Sequence, residues 1–524
     1  MSRDSNLMKW VLNIFVFTVI FFNQCSAYRI LCLFPTPATS HQIVFRAYTK
    51  ALVEHGHELV VATTHPVENP HPNITQIDWS VVQKLWADKL DFSSKKDTSG
   101  GLMTLIRAYV DSMTQILDVE LSHPSIKEII NNPEKQKFDL AVVENHFVGM
   151  FDIAKLLKVP LIVICSSDPN EIEHKAVGNY VHSIAAPLRI ASTYGLMTFY
   201  ERMSAVTFEI MFRFMAFTLE KSFRTALVKH FGPNVRSMTE MAQDIDMLFV
   251  NVNPAFGYVR PITPKTVTLG FMHITDPKPL PQDLQSYLDN SKNGVIYCSF
   301  GTNINSEKFD SGNLKSILNA FSRLKYDVLY KFGNETMKNQ PKNVKLVKWA
   351  PQSDLLAHKN VKLFITQGGQ HSLEEAIYRE VPLLAIPFYG DQFTNAKRIA
   401  AKGLGKWLTI NDIESNALYE TIKEIISNPI YKENIKKLSQ IVKDEPMTPT
   451  TKAVWWTEYV IRNKGAKHLE YHGVKVPSYQ FYYLDVIAAY VTIILLLYFT
   501  IKGILRLCMR LINKFIGRRH TKTD

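Results

Sequence analysis

The chain has 524 residues, 46% of them hydrophobic and 21% charged, with a formal net charge of +12. This balance excludes a disordered chain, and the length exceeds what one ordinary core holds, so two globular domains are expected. Much of the basic surplus is gathered after Lys502, where it reports membrane orientation; no nucleic-acid partner is expected.

Taken in chain order, Arg3 and Lys9 precede the apolar run Trp10 to Phe22 and the small residues Cys25-Ser26-Ala27. That order predicts a cleavable signal peptide over residues 1–27, with an uncleaved anchor as the competing reading. The run is short for a span. Apolar runs then alternate with helical stretches: Arg29 to Phe34, His41 to His55, Glu58 to Thr63, Leu140 to Val143 and Leu161 to Cys165. Such a rhythm predicts an α/β domain with a parallel sheet over 28–250. From Ala185 to Phe223 the sequence is helical and rich in Met and Phe, which suits an adaptable acceptor lining, an ordinary helix core or a membrane contact.

After a proline-rich linker at 251–290 the rhythm resumes with Val295 to Ser299, Val328 to Phe332, Val344 to Val347, Leu363 to Thr366 and Leu383 to Pro387. A second doubly wound domain with return helices is expected over 291–478, with ligand at the carboxyl ends of the strands. Leu484 to Ile501 reads as one transmembrane helix, preceded by Tyr479, Phe481, Tyr482 and Tyr483 and followed by a basic tail over 502–524. Basic residues recurring between leucines and isoleucines in that tail suit a helix on an anionic leaflet. The tail is expected to be cytoplasmic and the domains lumenal, in a single-pass type I protein of the endoplasmic reticulum.

Sequons at Asn73 and Asn334 fit passage through the secretory pathway. Cys32, Cys165 and Cys298 lie in apolar runs and read as core thiols, with neither a disulfide framework nor a metal spacing.

The most informative stretch is Trp349 to Gln392. Here the strand Leu363 to Thr366 leads through Gln367-Gly368-Gly369 into a helix carrying His371, Ser372 and Glu375. A strand, a glycine turn and a helix N-terminus form a place for an anion. Trp349 offers a flat face for a base, Glu375 can accept from two ribose hydroxyls, and Asp391 and Gln392 suit sugar hydroxyls. Elsewhere, His41 opens a helix after a Pro-Thr-Pro-Ala-Thr-Ser loop, and histidine titrates in the range useful to a general base.

Together with Cys298-Ser-Phe-Gly-Thr302, Met197-Thr-Phe-Tyr-Glu-Arg202 and Trp455-Trp-Thr-Glu-Tyr459, this stretch closely resembles the UDP-glycosyltransferases, membrane-bound enzymes that conjugate small lipophilic acceptors. The resemblance spans essentially the whole chain. It implies two facing Rossmann-like domains of the GT-B type, the first for the acceptor and the second for a UDP-sugar, which is a co-substrate rather than a cofactor. It puts uracil on Trp349 beside Gln352, ribose on Glu375, the diphosphate near Thr302, Lys331, Gln367, His371 and Ser372, and the sugar on Asp391 and Gln392. It also makes His41 the catalytic base. The carboxylate partner, an aspartate in vertebrate members, falls at Glu144 after Phe138-Asp139-Leu140, with His146 or another carboxylate as alternatives.

Lys331 stands where vertebrate members tend to have arginine, and Gln367 where histidine is usual; both resemble an insect-type branch. That branch implies UDP-glucose as donor and a role in detoxification or hormone and pigment conjugation. A glucuronosyltransferase, a catalytically silent ligand binder and a glycolipid transferase are the other readings. No metal is expected, the departing UDP being left to the helix N-terminus, Lys331 and neighbouring donors. Association with membrane lipid through the C-terminal helix is expected, while homo- or hetero-oligomerisation is left open.

Overall fold

Runs such as Leu161–Cys165, apolar at every position, expose no polar face to water and are stable only in a sheet covered on both sides. The computed structural model, which describes residues 27–89, 101–186, 197–257, 259–302, 304 and 306–520, contains two such sheets. The expected signal peptide lies outside the described residues apart from Ala27, as do residues 521–524 of the tail.

The first sheet is built from β1 (Arg29–Phe34), β2 (Glu58–Thr63), β3 (Ile74–Asp78), β4 (Leu140–Glu144), β5 (Leu161–Cys165), β6 (Met247–Val250) and β7 (Thr266–Thr268). Its order is β3-β2-β1-β4-β5-β6-β7, and every pairing is parallel. The second comprises β8 (Val295–Ser299), β9 (Asp327–Lys331), β10 (Val344–Val347), β11 (Val361–Thr366), β12 (Leu383–Ala385) and β13 (Gly405–Trp407). Its order, β10-β9-β8-β11-β12-β13, is again wholly parallel. Helices cover both faces, so these are two Rossmann-like domains of the GT-B type.

In each sheet the strand order reverses once, between β1 and β4 and between β8 and β11. Connections leaving two neighbouring strands in opposite directions open a crevice at their carboxyl ends, where ligands bind. His41 follows β1 and Glu144 ends β4; Gly301 follows β8 and Gln367 follows β11. The topology therefore brings each set of sequence-selected residues to a switch point.

Two segments sit differently from the simplest division of the chain. β7 lies within the range read as linker and pairs with β6, so the first sheet continues to Thr268. At three residues, shortly after Pro261 and Pro264, it is too short to show a strand period. The helix Pro449–Arg462, near the end of the second domain's sequence, buries Ala453, Val454 and Val460 in the first domain's core with Ile30, Phe45 and Leu52. Tyr48 and Thr457 share a buried 2.8 Å hydrogen bond across that junction.

The helix Phe199–Phe231 starts at a capping box made by Thr198 and Glu201. Its later part packs Phe223, Ala226 and Leu227 into the core, while Phe199, Ile210 and Phe217 are exposed. Cys32, Cys165 and Cys298 are buried and outside any disulfide. Residues from Tyr471 onward form a separate unit whose main element is the continuous helix Leu484–His520. Its part Leu484–Phe515 is long and apolar enough to cross a membrane.

Candidate active site

At the first switch point, β1 runs into the loop 35–38 and then the helix Thr39–Glu54. Gln42, fully inside, ties this loop down. Its amide nitrogen donates to the carbonyls of Phe34 (3.0 Å) and Thr36 (2.9 Å), and its oxygen accepts from Thr63 (2.7 Å). The loop so held presents the Thr36 N–H to Glu144 Oε2 at 3.0 Å. Glu144 is wholly buried, and its Oε1 lies 2.7 Å from His41 Nδ1.

Burial acts to raise the Glu144 carboxyl. Interactions with His146 and His41 outweigh it and hold the group down to about 2. The side chain is thus a carboxylate, which requires His41 Nδ1 to carry a proton and leaves proton acceptance to Nε2. The extra methylene of glutamate, relative to the aspartate that the resemblance implies for vertebrate members, is compatible with a short bond to His41. His146 Nδ1 stands 3.4 Å from the same Oε1. Among the described residues, His41, Glu144 and His146 are the one His/carboxylate group whose ligand atoms all lie within 4.8 Å. Within it, His41 and Glu144 are joined by the 2.7 Å hydrogen bond, and His146 Nδ1 has no hydrogen-bond partner.

At the second switch point, Gly301 follows β8 with φ of +77°, and a Cβ there would stand 2.4 Å from Gln367 Nε2. The left-handed backbone there favours glycine, and any Cβ would also push the Gln367 amide aside. Thr302, next in the loop, is exposed. Across the crevice, β11 ends in Gln367-Gly368-Gly369, and Gly369 caps the helix Gln370–Tyr378. The first N–H groups of that helix have no intrahelical partner and suit a diphosphate.

Gln352 binds this helix from the side, its Nε2 donating to Ser372 Oγ (3.0 Å) and Glu375 Oε2 (2.6 Å). Burial pushes the Glu375 carboxyl up to about 7, against the opposing effect of Gln352. Trp349 is 62% exposed, an unusual placement for so large a ring, and Lys331 Nζ sits 4.5 Å from its ring centre while donating to Gly301 O at 3.1 Å. Burial lowers the Lys331 ammonium to about 8. Asp391 precedes the helix Gln392–Ala401 and accepts from Asn395 at 3.0 Å. Gln392 turns its oxygen onto the N–H groups of Phe388 (2.8 Å) and Tyr389 (3.1 Å), so its amide nitrogen is the end suited to a sugar hydroxyl.

His371 is placed differently from the other expected donor residues. Its Nε2 donates to the Ser166 carbonyl at 2.8 Å, in the loop after β5 of the first domain. A diphosphate at this helix would meet the His371 backbone N–H rather than a ring nitrogen. Sequence reasoning missed the polar seam that continues from there. Gln370 donates to Asn251 O (2.6 Å) and Glu374 Oε1 (3.0 Å), and Asn251 Nδ2 donates to Glu374 Oε2 (3.2 Å) and Ser166 O (3.1 Å). Glu144 is in register with Ile164, two residues before Ser166, so this seam sets the carboxyl ends of the first sheet against the start of the donor-side helix. Asn73 and Asn334 are both exposed.

The family model described as "UDP-glucoronosyl and UDP-glucosyl transferase" matches residues 30–519. UDP-glycosyltransferase UGT5 of Dactylopius coccus is 32% identical over 96% of this chain and 97% of its own length. Ecdysteroid UDP-glucosyltransferase of Spodoptera littoralis nuclear polyhedrosis virus is 31% identical, covering 88% of this chain and 93% of its own. Among solved structures, a UDP-glucosyltransferase from Polygonum tinctorium superposes with a TM-score of 0.57 over 84% of this chain and 99% of its own, at 14% identity, a likeness of fold. Two facing Rossmann-like domains, a donor-side stretch of the right composition and this match along almost the whole sequence lead to one conclusion: the chain belongs to the UDP-glucuronosyl and UDP-glucosyl transferase family and is a UDP-glycosyltransferase.

Proposed function

We propose that this enzyme moves glucose from UDP-glucose to a hydroxyl of a small lipophilic acceptor, with inversion at the anomeric carbon. The observation that carries the reading is the 2.7 Å His41–Glu144 hydrogen bond at the crevice facing the donor-side helix. His41 Nε2 takes the acceptor's hydroxyl proton while that oxygen bonds to the anomeric carbon. The bond from that carbon to the diphosphate breaks on the opposite side, and UDP departs with the electron pair. Glu144 fixes the tautomer of His41 and offsets the charge of the imidazolium as it forms.

On the donor side, Trp349 stacks on uracil, Gln352 and Glu375 receive the nucleoside, and Glu375 accepts from the ribose hydroxyls. The diphosphate rests on the start of the helix at Gln370 with Thr302, Lys331, Gln367, His371 and Ser372, which stabilise the charge gathering on UDP. Asp391 and Gln392 hold the sugar. Glucose as the transferred sugar is supported by the glucosyltransferase named among the relatives and by the neutral Gln367 with a single-point cation at Lys331. That relative's name also makes a steroid alcohol a reasonable acceptor to try.

The apolar helix Leu484–Phe515 supports anchorage in a membrane, and the basic residues after Lys502 support a cytoplasmic tail with the transferase domains in the lumen of the endoplasmic reticulum. Exposed Asn73 and Asn334 are then glycosylation acceptors, and conjugation of lipophilic compounds suits detoxification.

The test is to incubate membranes carrying the protein with several UDP-sugars and a panel of phenols, steroids and flavonoids, and to identify products by mass. His41→Ala and Glu144→Ala are each expected to lower turnover by about a hundredfold to ten-thousandfold. Retained turnover in both would sink the catalytic assignment, and a product bearing a uronic acid would overturn the choice of donor.

A further inference from the structure

We propose that His146 is a third member of the catalytic centre, a positioning residue that competes with His41 for Glu144 and makes the reaction sensitive to two protons instead of one. This inference rests on the His41–Glu144 reading above.

The geometry centres on one oxygen. Glu144 Oε2 is held by the Thr36 N–H, so Oε1 serves both imidazoles, His41 Nδ1 at 2.7 Å and His146 Nδ1 at 3.4 Å. The first distance is a strong hydrogen bond; the second is an ion-pair distance too long for one. His146 Nδ1 is buried and has no hydrogen-bond partner, yet the side chain is 20% exposed, so protons reach the ring from water. The two ring centres are 5.1 Å apart.

A neutral His146 therefore leaves Oε1 to His41. A protonated His146 draws Oε1 towards itself and sets a second positive charge beside the imidazolium that His41 must become. Both rings must be neutral for transfer to start.

The other titratable groups bearing on this pair come from two further helices. Glu120, on Gly101–Leu121, is fully buried with both oxygens unpartnered, and burial and the Glu144 charge keep it protonated. Glu173, on Glu171–Ala176, is also fully buried; burial pushes it up to about 7 against the charge of His146. Glu144 is thus the carboxylate for which the two histidines compete, and Glu173 is the group whose own proton must be told apart from that of His146.

The experiment measures kcat/KM for a steroid alcohol, or the rate of UDP-glucose hydrolysis where the alcohol is not taken, against pH from about 5 to about 9 at saturating UDP-glucose. Saturation removes donor-binding groups from the profile, and neither acceptor titrates in this range. In the native enzyme the acid side should steepen to roughly a hundredfold per pH unit once both rings are protonated, the signature of two protons. In His146→Gln, or His146→Asn, it should fall roughly tenfold per unit. Glu173→Gln should keep the two-proton fall. UDP-glucose binding reports that each variant is folded.

A one-proton fall in the native enzyme, or an unchanged two-proton fall in the His146 variants, overturns the proposal, and the inactivity of His41→Ala would then still support the underlying pair. Activity in His41→Ala would instead remove that pair, and this proposal with it.

Discussion

Glu375 and Lys331, proposed above to face the nucleotide and the diphosphate, titrate in opposite senses across neutrality, so donor affinity is expected to peak between their values. Glu375 accepts from both ribose hydroxyls at charge-assisted strength as a carboxylate, and burial has pushed it up to about 7; Lys331 attracts the diphosphate as an ammonium, and burial has lowered it to about 8. At about pH 6 only some tenth of Glu375 is ionised, weakening binding roughly tenfold from the plateau; at about pH 9 a similar fraction of Lys331 remains charged. The dissociation constant for UDP-glucose should therefore pass through a minimum near pH 7.5, the midpoint of those two values.

UDP-glucose is the ligand of choice because its diphosphate lacks the terminal phosphate proton that titrates near pH 6 in a monoester. Calorimetry on the detergent-solubilised protein would measure it. Glu375→Gln should remove the weakening on the acid side and raise the dissociation constant by roughly tenfold to a hundredfold at neutral pH, the worth of one charge-assisted hydrogen bond. Lys331→Arg, charged at every accessible pH, should remove the weakening on the basic side. A dissociation constant flat from about pH 6 to about pH 9, or an acid limb that persists in Glu375→Gln, would show that these groups do not face the donor.

Further outcomes follow from the same structure. Gln42→Leu should lower stability by about 1–3 kcal/mol, read by thermal unfolding, because the Phe34 carbonyl loses its buried donor; the untethered Thr36 loop should also lower turnover while leaving UDP-glucose binding intact. Trp349→Ala should weaken UDP-glucose binding by about 1–3 kcal/mol with little change in melting temperature, since the ring is exposed and on the proposed reading stacks on the base. Glu374, which burial pushes up to about 8, carries its proton in the folded state and loses it only as pH rises through that value. Its folded value lies above its unfolded one, so stability declines from the ordinary carboxyl range up to about 8, and Glu374→Gln should melt higher than the native chain above about pH 8 and much like it near pH 5. Deleting everything from Pro449 onward should leave the first domain's core exposed and give insoluble protein, since Ala453, Val454 and Val460 complete that core; a soluble, UDP-glucose-binding fragment would refute this.

The strands legible in sequence were those with enough apolar residues to be buried on both faces: β1, β2, β5, β8 and β10 run over the same residues in both readings. β3, Ile74–Asp78, escaped because it lies at the sheet edge with polar positions exposed. β7 and β13, at three residues each, are strands only because a neighbour is already there to pair with them. Gln42 gave no signal at all, since a glutamine in an amphipathic helix reads as surface; only the carbonyls of Phe34 and Thr36 closing over it make it a buried tether.

By itself the sequence determined the class of the protein. Apolar runs alternating with helices specify parallel sheets, and the residues from Trp349 to Gln392 are local enough along the chain to be recognised as one nucleotide-sugar motif. It also named His41 and Glu144. Tertiary structure decided what distance along the chain conceals: that Glu144, 103 residues from His41, closes to 2.7 Å on it, that His146 shares the same oxygen, that the His371 ring spans to Ser166, and that Pro449–Arg462 belongs to the first domain's core. The physical reason is that periodicity reports which face of an element is buried, whereas a hydrogen bond between elements depends on strand order and register, which are fixed only when the sheets assemble.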